Sequence, residues 1–596
     1  MHRPLETASK PEARIDYGAL VGPDRVHGSL YTDPQVFEDE LARIFLRGWV
    51  FVGHDSEVPN VGDWVTRRLG REPVIMVRDG EGCVQVLANR CAHRGTMLCW
   101  QASGAGRRSF QCSYHGWVYS LSGELRSMPG RSGFSREKSA IRLDRPGQVD
   151  SYQGFVFANQ SADAGPLGEH LGPAGMALID RAVGLSPTSK LALSAGWIGQ
   201  RVDSNWKMWP ESDNDGYHLA VAHASLQKAV PGTQYEAALF SAELDNTSQA
   251  RDHGLGHVEL ELRTGYDREL AWLGTSRDKV AGYHEALVSA YGQEAAERIL
   301  WDGPPHALIF PNLFLGEMNL AIIQPIAPGV TVHYHTPLLL DGVDAALNRR
   351  ILRQSEAAMG PASFLLPDDA VIARAYAAGF PRRPSERARL DRPDPRPAPR
   401  TRGRTRPGQP RQRRDHQSRL LAPLPQGHDG ARVSGPSTEE RLEIEAFIFR
   451  EARLADESDY AGWEALLTED MHYWVPFGKA DYDPATRMSY INDNRARVAT
   501  RIRQLRTGHR HAQTPASPMR RVVSNIEVLE RTETDYLVAA NFVLYEHAVQ
   551  ATHNLRIWAG RMTYGIRRTA EGLRMSRKVV ELVNASEALP SLAFII

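Results

Sequence analysis

Hydrophobic and polar residues alternate in short runs, separated by glycine, between about residues 46 and 125. A repeat of two, with turn residues about every ten positions, is typical of short antiparallel strands. The runs read WVFVG, WVTRRL, PVIMVRDG, CVQVLAN and GWVYSLSGEL. We therefore predict a small antiparallel β domain over residues 46–150. A lead-in, residues 1–45, precedes it and contains one short amphipathic helix, FEDELARIFLRG.

The pattern changes further along the chain. Between residues 151 and 380, helical spacing mixes with strand-like runs such as GFVFAN and LAIIQPI, which indicates a domain of the α+β class. A second α+β domain over residues 437–596 opens with Ser437 or Thr438 as a helix N-cap before LEIEAFIFREARL. Strand-like runs such as MHYWVPF and YLVAANFVLYEH follow this helix, so we expect a curved sheet there.

Length and composition exclude several classes of protein. The 596 residues suffice for about three or four domains with buried cores. A net charge of zero excludes a globally basic nucleic-acid binder. We find no apolar run of about 18 residues and no apolar core near the N-terminus, so we expect a cytoplasmic protein without a membrane span or signal peptide. With only four cysteines in the chain, metal binding or catalysis is a better expectation for them than a disulfide framework. We expect two of them, Cys83 and Cys99, to be buried small residues.

Residues 381–436 differ from the rest of the chain in composition. Positions 381–420 contain 14 arginines and eight prolines and no aromatic residue. Such a sequence cannot bury a core, so we predict a disordered linker. An arginine-rich arm for nucleic acid is the alternative. Because no aromatic side chain is available for base stacking, we favour the solvated linker and expect no nucleic-acid partner.

The other two cysteines each lie close to a histidine, in the motifs Cys91-Ala-His93-Arg-Gly and Cys112-Ser-Tyr-His115-Gly-Trp. A structural zinc site more often pairs cysteine with cysteine and histidine with histidine. One thiolate and one imidazole in each half suit a [2Fe–2S] cluster, in which Cys91 and Cys112 bind one iron and His93 and His115 the other. Zinc, or four unconnected residues, is the alternative interpretation.

A second candidate metal site involves His218 and His223, in the helix-compatible stretch NWKMWPESDNDGYHLAVAH. Residues that share a helix face lie three or four positions apart, and a spacing of five turns the second side chain away. Both histidines can reach one metal only if the helix is bulged or broken between them. The spacing alone favours two unrelated histidines.

A pair of carboxylates, Asp368 and Asp369, opens a predicted helix, AVIARAYA, in the stretch GPASFLLPDDAVIARAYA. Two imidazoles and one carboxylate would form the facial triad of non-haem Fe(II) oxygenases, which leaves positions open for O₂. Acidic residues in a first helical turn are also ordinary partners of the helix dipole. On its own, the pair of carboxylates indicates only the start of a helix.

Together these motifs resemble the large (α) subunit of the aromatic-ring-hydroxylating oxygenases. CAHRG with CSYHGWVY and SGEL resembles the Rieske domain of this family, NWK with ExxxDGYHxxxxH its iron-binding stretch, and GPAxFxxxDD its distal carboxylate stretch. The resemblance extends over about residues 1–380. It implies a Rieske β domain followed by a catalytic α+β domain with an antiparallel sheet, of the Bet v1-like or START-like type.

Taken position by position, the resemblance implies roles for individual residues. His218 and His223 match the two imidazole ligands of a mononuclear Fe(II), and Asp369 matches the carboxylate ligand, with Asp368 as its neighbour. Asp215 matches the aspartate that bridges one of these histidines to a Rieske histidine of the adjacent subunit.

Residues 437–596 resemble the small (β) subunit of the same enzymes, a cone-shaped α+β fold of the NTF2-like type. The stretch LEIEAFIFREARLADESDYAGWEALLTEDMHYWVPF carries this resemblance. The histidines of this region are scattered, so we predict a structural domain without a metal site. The family's subunit arrangement implies a homotrimer of this chain, equivalent to three large and three small subunits.

The resemblance implies a terminal oxygenase that uses O₂ and electrons from NADH to convert an aromatic substrate into a cis-dihydrodiol. No GxGxxG motif opens a helix, so NADH would act through a separate reductase, with or without a ferredoxin. The ExxxD spacing is nearer to the benzoate and anthranilate branch, which makes an aromatic carboxylate a candidate substrate. Leu365 matches a wall position of the substrate pocket.

Two other functions use the same features of the sequence. Related enzymes with the same two iron sites catalyse monooxygenation or O- or N-demethylation, and labelled O₂ distinguishes them from dioxygenases. A non-enzymatic alternative is a zinc-stabilised binding protein with a basic arm. A visible spectrum separates this alternative, because zinc is colourless and a Rieske cluster is not.

The junction between the two resemblances suggests a further hypothesis. Large subunits of the family tend to end near the run FWRHY, which this chain lacks. Codons for residues 420–431 can nevertheless be chosen so that a shifted frame reads FWRHYRKVMTA. We therefore hypothesise that about residues 381–431 are an out-of-frame stretch joining two formerly separate subunits, the alternative being a natural fusion with a flexible linker. Stop codons in the shifted frame of the coding DNA would exclude the hypothesis.

Overall fold

The computed structural model describes residues 15–230, 249–316, 318–379, 435–550 and 553–596. Within these ranges helices and mostly antiparallel sheets alternate, as predicted for the α+β class. The predicted linker, 381–436, lies outside the described residues except for its last two positions.

The predicted helix of the lead-in is present. It spans Pro34–Glu40 and continues as a π-helical turn over Leu41–Phe45. The side chain of Asp33 caps the first turn of this helix. Pro34, the first helical residue, has no backbone N–H that would need an acceptor there. Phe37 and Phe45 bury its apolar face against the β domain that follows.

Three small antiparallel sheets occupy the predicted β domain, 46–150, and the third also includes the run GFVFAN from beyond residue 150, which pairs with Val50–His54. Their strands, in pairing order, are Val84–Ala88, Glu72–Arg78, Trp64–Leu69 and Ser103–Gly104 in the first, Leu125–Ser127, Val118–Tyr119 and Phe110–Gln111 in the second, and Gln148–Tyr152, Phe155–Asn159 and Val50–His54 in the third. The expectation for Cys83 is wrong, because this residue is exposed, whereas Cys99 is buried as expected. The carboxylate of Asp79 accepts the backbone N–H of Cys83 at 2.9 Å, which holds this residue in a turn before the strand begins.

A seven-stranded antiparallel sheet, here called the central sheet, organises the middle of the chain. Its strands in pairing order are Ile198–Val202, Val330–Pro337, Asn319–Ala327, Leu313–Gly316, Ala307–Ile309, Val258–Glu261 and Gln249–Asp252. Side chains alternate between its faces, so His333 and His335 are buried while Tyr334 between them is partly exposed.

The inner strands of the central sheet are buried on both faces, and helices lie before, between and after its strands along the chain. Those between the lead-in and the end of this region are Leu167–Val183, Met208–Asp213, Leu219–Ala222, Ala224–Ala229, Ala281–Tyr291, Gln293–Asp302, Ala345–Ala358 and Leu366–Gly379. The last of these, Leu366–Gly379, contains the predicted AVIARAYA helix.

The C-terminal region begins with the predicted helix, which spans Thr438–Asp456 and has Ser437 as its N-cap. The hydroxyl of Ser437 accepts the backbone N–H of Glu440, and the carboxylate of Glu440 accepts that of Ser437, a complete capping box. Two further helices, Tyr460–Glu464 and Arg495–Arg506, accompany a six-stranded sheet. Its strands in pairing order are Ser489–Asn494, Leu467–Pro476, Gly572–Leu582, Asn554–Thr569, Asp535–Ala548 and Met519–Arg531.

The C-terminal region packs directly against the central region. The backbone of Leu589 donates to the carbonyl of Gly199 at 3.0 Å and accepts the N–H of Arg201 at 2.8 Å. One hydrophobic core includes buried side chains of both regions, such as Ile351 and Trp463. None of the helices in the described ranges is both long and apolar enough to cross a bilayer.

Candidate cluster site and candidate mononuclear metal centre

The two Cys/His motifs form matching tight turns at one end of the β domain. The N–H of Gly95 donates to the carbonyl of Cys91 at 2.8 Å, and the N–H of Gly116 donates to that of Cys112 at 3.0 Å. Both glycines have positive φ angles, 75° and 71°, which side chains disfavour. Glycine is therefore what lets each loop turn back at this point.

The turns bring all four predicted cluster ligands together. The ring centroids of His93 and His115 are 4.6 Å apart, and Trp117 stacks on His93 at 4.7 Å with an interplanar angle of 5°. The thiols of Cys91 and Cys112 are both buried and interact with one another. The two imidazoles therefore lie against one another, as do the two thiols.

The surroundings of these donors suit metal ligation. Nδ1 of His93 is buried without a hydrogen-bond partner, and burial lowers the pKa of this imidazole, which keeps it neutral. Burial would raise the pKa of Cys112, but the backbone N–H groups of Tyr114 and His115 outweigh this and lower it. The hydroxyl of Tyr119 lies 3.1 Å from Sγ of Cys91. A neutral imidazole at His93 and a favoured thiolate at Cys112 suit a Rieske-type [2Fe–2S] cluster, whereas burial raises the pKa of the Cys91 thiol.

The helix that carries His218 and His223 is broken, which is the condition for both imidazoles to reach one metal. Met208–Asp213 ends before His218, the single turn Leu219–Ala222 follows, and Ala224–Ala229 starts after His223. His223 itself has φ −105° and ψ 17°, outside the helical range, and this swings its imidazole back toward His218. Their ring centroids are 5.3 Å apart.

Asp369 completes a group of three possible metal ligands. One possible ligand atom from each of His218, His223 and Asp369 lies within 4.8 Å of the other two. Among the described residues, these three form the one cluster of at least three histidine, cysteine or acidic side chains close enough to share a metal ion. Oδ1 of Asp369 is 3.3 Å from Nε2 of His223 and 3.9 Å from Nε2 of His218. Two imidazoles and one carboxylate in this arrangement fit a mononuclear Fe(II) site.

The protonation chemistry of this group depends on burial. Burial raises the pKa of Asp369 to about 7, because its charged form loses solvation. Burial lowers the pKa of His223 to about 3, so this imidazole is neutral and its lone pair is available. Nδ1 of His223 is buried without a partner. A bound cation would supply the positive charge that the buried Asp369 carboxylate otherwise lacks.

The neighbouring carboxylate, Asp368, faces away from the histidines. It is fully buried and accepts the backbone N–H of Ala512 at 2.8 Å and the hydroxyl of Ser225 at 3.3 Å. The guanidinium of Arg510 lies 3.6 Å from Oδ2, the oxygen that also accepts the Ser225 hydroxyl. The geometry thus agrees with Asp369, and not Asp368, as the candidate ligand.

Asp215 lies next to the candidate metal centre and reaches solvent. Its backbone carbonyl accepts Nδ1 of His218, and its carboxylate Oδ2 lies 3.7 Å from the same nitrogen. The side chain of Asp215 is 46% exposed. Its carboxylate is therefore accessible to a second molecule while its backbone orients the candidate ligand.

A pocket beside the three candidate ligands includes Leu365, the wall residue that the resemblance implied. It also includes side chains that the sequence analysis missed: Trp209, Ser212, Asp213, Leu219, Leu260, Leu262, His306, Met359 and Leu366. His306 is buried, which lowers its pKa to about 4, and its Nε2 donates to the carbonyl of Asp213 at 3.1 Å. The only sequence signal for His306 was its position at the start of the strand-like run HALIF.

Comparisons with known proteins match each part of the chain. Residues 48–150 match the family model for the Rieske [2Fe-2S] domain, residues 189–336 that for the ring hydroxylating alpha subunit (catalytic domain), and residues 450–586 that for the ring hydroxylating beta subunit. The three models thus match three separate stretches in chain order.

Individual relatives agree with these matches. The chain is 31% identical over 385 residues to the large subunit of anthranilate 1,2-dioxygenase from Acinetobacter baylyi, covering 61% of this chain and 79% of the relative. It is 30% identical to subunit alpha of N,N-dimethyl phenylurea N-demethylase from Sphingobium, covering 62% and 81%. The solved structure of naphthalene 1,2-dioxygenase with indole bound superposes with a TM-score of 0.51 at 26% identity, covering 60% of this chain and 81% of that one. The chain therefore belongs to the Rieske-type aromatic-ring-hydroxylating oxygenases and joins a large-subunit-like part to a small-subunit-like part.

Proposed function

We propose that this oxygenase is the terminal component of a multicomponent system that adds both atoms of O₂ to an aromatic ring and yields a cis-dihydrodiol. The observation that carries the proposal is the presence in one chain of two donor sets. One is the Cys91/His93/Cys112/His115 group, and the other is the triad of two histidines and one carboxylate beside a pocket.

In this proposal, Cys91 and Cys112 hold one iron of a [2Fe–2S] cluster, and His93 and His115 hold the other. A mononuclear Fe(II) is held by His218, His223 and Asp369. When bound, the cluster supplies single electrons and the mononuclear iron supplies the activation of O₂. Binding and orientation of the substrate come from the side chains of the protein.

The pocket residues bind and orient the ring. Trp209, Leu260, Leu262 and Met359 give the pocket an apolar surface that favours an aromatic ring over water. Asp213 accepts the hydrogen bond from His306 and so fixes the orientation of this imidazole at the pocket wall. The pocket thus supports an aromatic substrate that lies directly against the candidate metal ligands.

An aromatic carboxylate is the substrate class that we propose first. The ExxxD spacing favours it, and the relative from Acinetobacter baylyi is named for anthranilate. No lysine or arginine is among the described residues that line the pocket. Because a buried carboxylate needs a positive partner, the ring would enter the pocket and its carboxylate would stay toward solvent.

We also propose the route by which electrons arrive. A reductase, with or without a ferredoxin, passes electrons from NADH to the cluster. The exposed carboxylate of Asp215, beside His218, links the mononuclear centre to the cluster of an adjacent protomer. This arrangement needs a second protomer, and we propose the trimer that the family resemblance implies.

Monooxygenation or N-demethylation is a second candidate, because one relative at 30% identity is an N-demethylase by name. Turnover with ¹⁸O₂ on a panel containing benzoate, anthranilate, naphthalene and an N-methyl arylurea distinguishes the candidates. The proposal predicts a diol in which both oxygens carry the label. A single labelled oxygen, or formaldehyde release without a diol, would contradict it.

A further inference from the structure

The small-subunit-like region contacts the mononuclear centre closely. Asp368 and Asp369 are consecutive in the first turn of Leu366–Gly379, so their side chains leave the helix about 100° apart. Asp369 faces the two candidate histidine ligands, while Asp368 faces the C-terminal region. Whatever holds Asp368 therefore also sets the direction of Asp369.

The groups that hold Asp368 come largely from one C-terminal segment, residues 503–512. The backbone N–H of Ala512 donates to Oδ1 of Asp368 at 2.8 Å, and the guanidinium of Arg510 lies 3.6 Å from Oδ2. The side chain of Asp368 is 0% exposed and that of Arg510 is 2% exposed. A carboxylate this deeply buried depends on its cationic partner, because water cannot replace it.

Arg510 also fixes the backbone just before the ligand helix. Its guanidinium donates to the carbonyl of Ser363 at 2.8 Å and to the carbonyl of Phe364. Gln504 donates to the same Phe364 carbonyl at 2.8 Å and to the hydroxyl of Ser225 at 3.0 Å. Ser225 in turn donates to Asp368.

The same segment reaches the element that carries the histidines. Ser225, bonded to Gln504, lies in the helix Ala224–Ala229, which starts directly after His223. Nε of Arg503 donates to the carbonyl of Ala229 at the end of that helix, at 2.9 Å. Segment 503–512 is therefore bonded to both ligand-bearing elements, although none of its residues lines the pocket.

We propose that segment 503–512 of the small-subunit-like region positions the mononuclear iron ligands, with Arg510 and Asp368 as its principal positioning residues. This inference rests on the proposed function, since it assumes that Asp369 and the two histidines bind iron. It gives the C-terminal region a role that a purely structural domain would not have, because iron affinity then depends on its side chains. Polar partners behind metal ligands typically change metal affinity about 10- to 100-fold when removed.

The test uses the full-length protein and three substitutions. Arg510→Met removes the charge and its hydrogen bonds, Arg510→Lys keeps the charge, and Arg510→Met with Asp368→Asn removes both charges. Arg497→Met is the control at the same interface, because Arg497 donates to the carbonyl of Arg353 at 2.7 Å and so contacts the helix Ala345–Ala358, which carries none of the candidate ligands. Fe(II) affinity is measured from the EPR signal of the NO adduct, next to the Rieske visible spectrum and the melting temperature.

We expect Arg510→Met to weaken Fe(II) binding at least tenfold with an unchanged Rieske spectrum. Arg510→Lys and the double variant should each recover part of that loss, and Arg497→Met should leave Fe(II) affinity unchanged. Equal loss of Fe(II) affinity in Arg497→Met and Arg510→Met, or none in either, would overturn the positioning role. If Arg510→Met fails to fold, Arg510→Lys and the double variant are judged by the same comparison. A wild-type protein that binds no Fe(II) would overturn both this inference and the proposed function.

Discussion

Nε2 of His223 lies 3.3 Å from Oδ1 of Asp369, although the two residues belong to different helical segments of the central region. Both side chains are almost fully enclosed by protein. Burial holds the pKa of His223 near 3 and raises that of Asp369 to about 7. The pair is therefore neutral at moderately low pH and gains one negative charge near neutrality, when a divalent cation can compensate it.

The first prediction concerns the pH dependence of Fe(II) binding. A metal binds the deprotonated carboxylate, so protons compete with it below the pKa of Asp369, about 7. His223 does not compete, because its pKa of about 3 keeps it neutral. We expect the Fe(II) affinity to fall about tenfold for each pH unit below about 7, measured by Fe(II) titration of the metal-free mononuclear site. An affinity that stays constant from about pH 5.5 to 8 would exclude Asp369 as the titrating ligand.

The second prediction separates the two adjacent carboxylates. Asp369→Ala should lose mononuclear iron and product while keeping the full Rieske spectrum, because only this carboxylate faces His218 and His223. Asp368→Ala should cause a milder loss, since Asp368 acts on the ligands through the helix backbone and its nearby charge and is not itself part of the three-ligand group. Iron content and product yield are measured side by side. A larger loss in Asp368→Ala would show that the ligand was assigned to the wrong residue.

Much of this arrangement could be predicted from sequence, because its signals are local. The capping box at Ser437 and Glu440 uses residues three positions apart, and the strand runs of the β domain alternate within a few residues. The strand Gly572–Leu582 was missed. Its sequence, GLRMSRKVVEL, places charged residues such as Lys578 inside the fold, where Glu451 of a distant helix pairs with it.

In the candidate site, too, local motifs could be predicted from sequence, whereas contacts between distant residues could not. The two Cys/His loops are compact motifs and could be recognised directly, whereas spacing alone gave no reason to join His218 and His223. The choice of Asp369 over Asp368 depended on the family resemblance, because adjacent identical residues carry no distinguishing pattern. Trp209 and His306 could not be predicted as pocket residues, since only the tertiary packing brings them to the same cavity.

The third prediction tests the cluster ligands. Cys112→Ser should abolish the Rieske visible spectrum while the C-terminal region still folds, because Cys112 lies in the β domain on a loop with His115. Cys83→Ser is the control, since Cys83 is an exposed cysteine of the same domain. Circular dichroism follows folding, and absorption per chain follows the cluster. A full-strength spectrum in Cys112→Ser would rule out the assignment.

The fourth prediction concerns electron transfer. Asp215→Asn should retain both metal centres but slow reoxidation of the reduced cluster severely, because the bridging carboxylate beside His218 loses its charge. Asp163→Asn, a change at another exposed aspartate, should leave the rate unchanged. Stopped-flow absorption with substrate and O₂ gives the rates, and light scattering gives the oligomeric state. An active monomer would be incompatible with transfer between protomers.

The most direct test of the central claim, that one chain carries two different iron sites, is the metal and sulfide content of the purified protein. A [2Fe–2S] cluster and a mononuclear iron together give about three irons and about two acid-labile sulfides per chain. We predict these values, with a reddish-brown protein that gives a Rieske EPR signal on reduction and a separate signal when Fe(II) binds NO. A colourless protein that contains zinc and no labile sulfide would contradict the account.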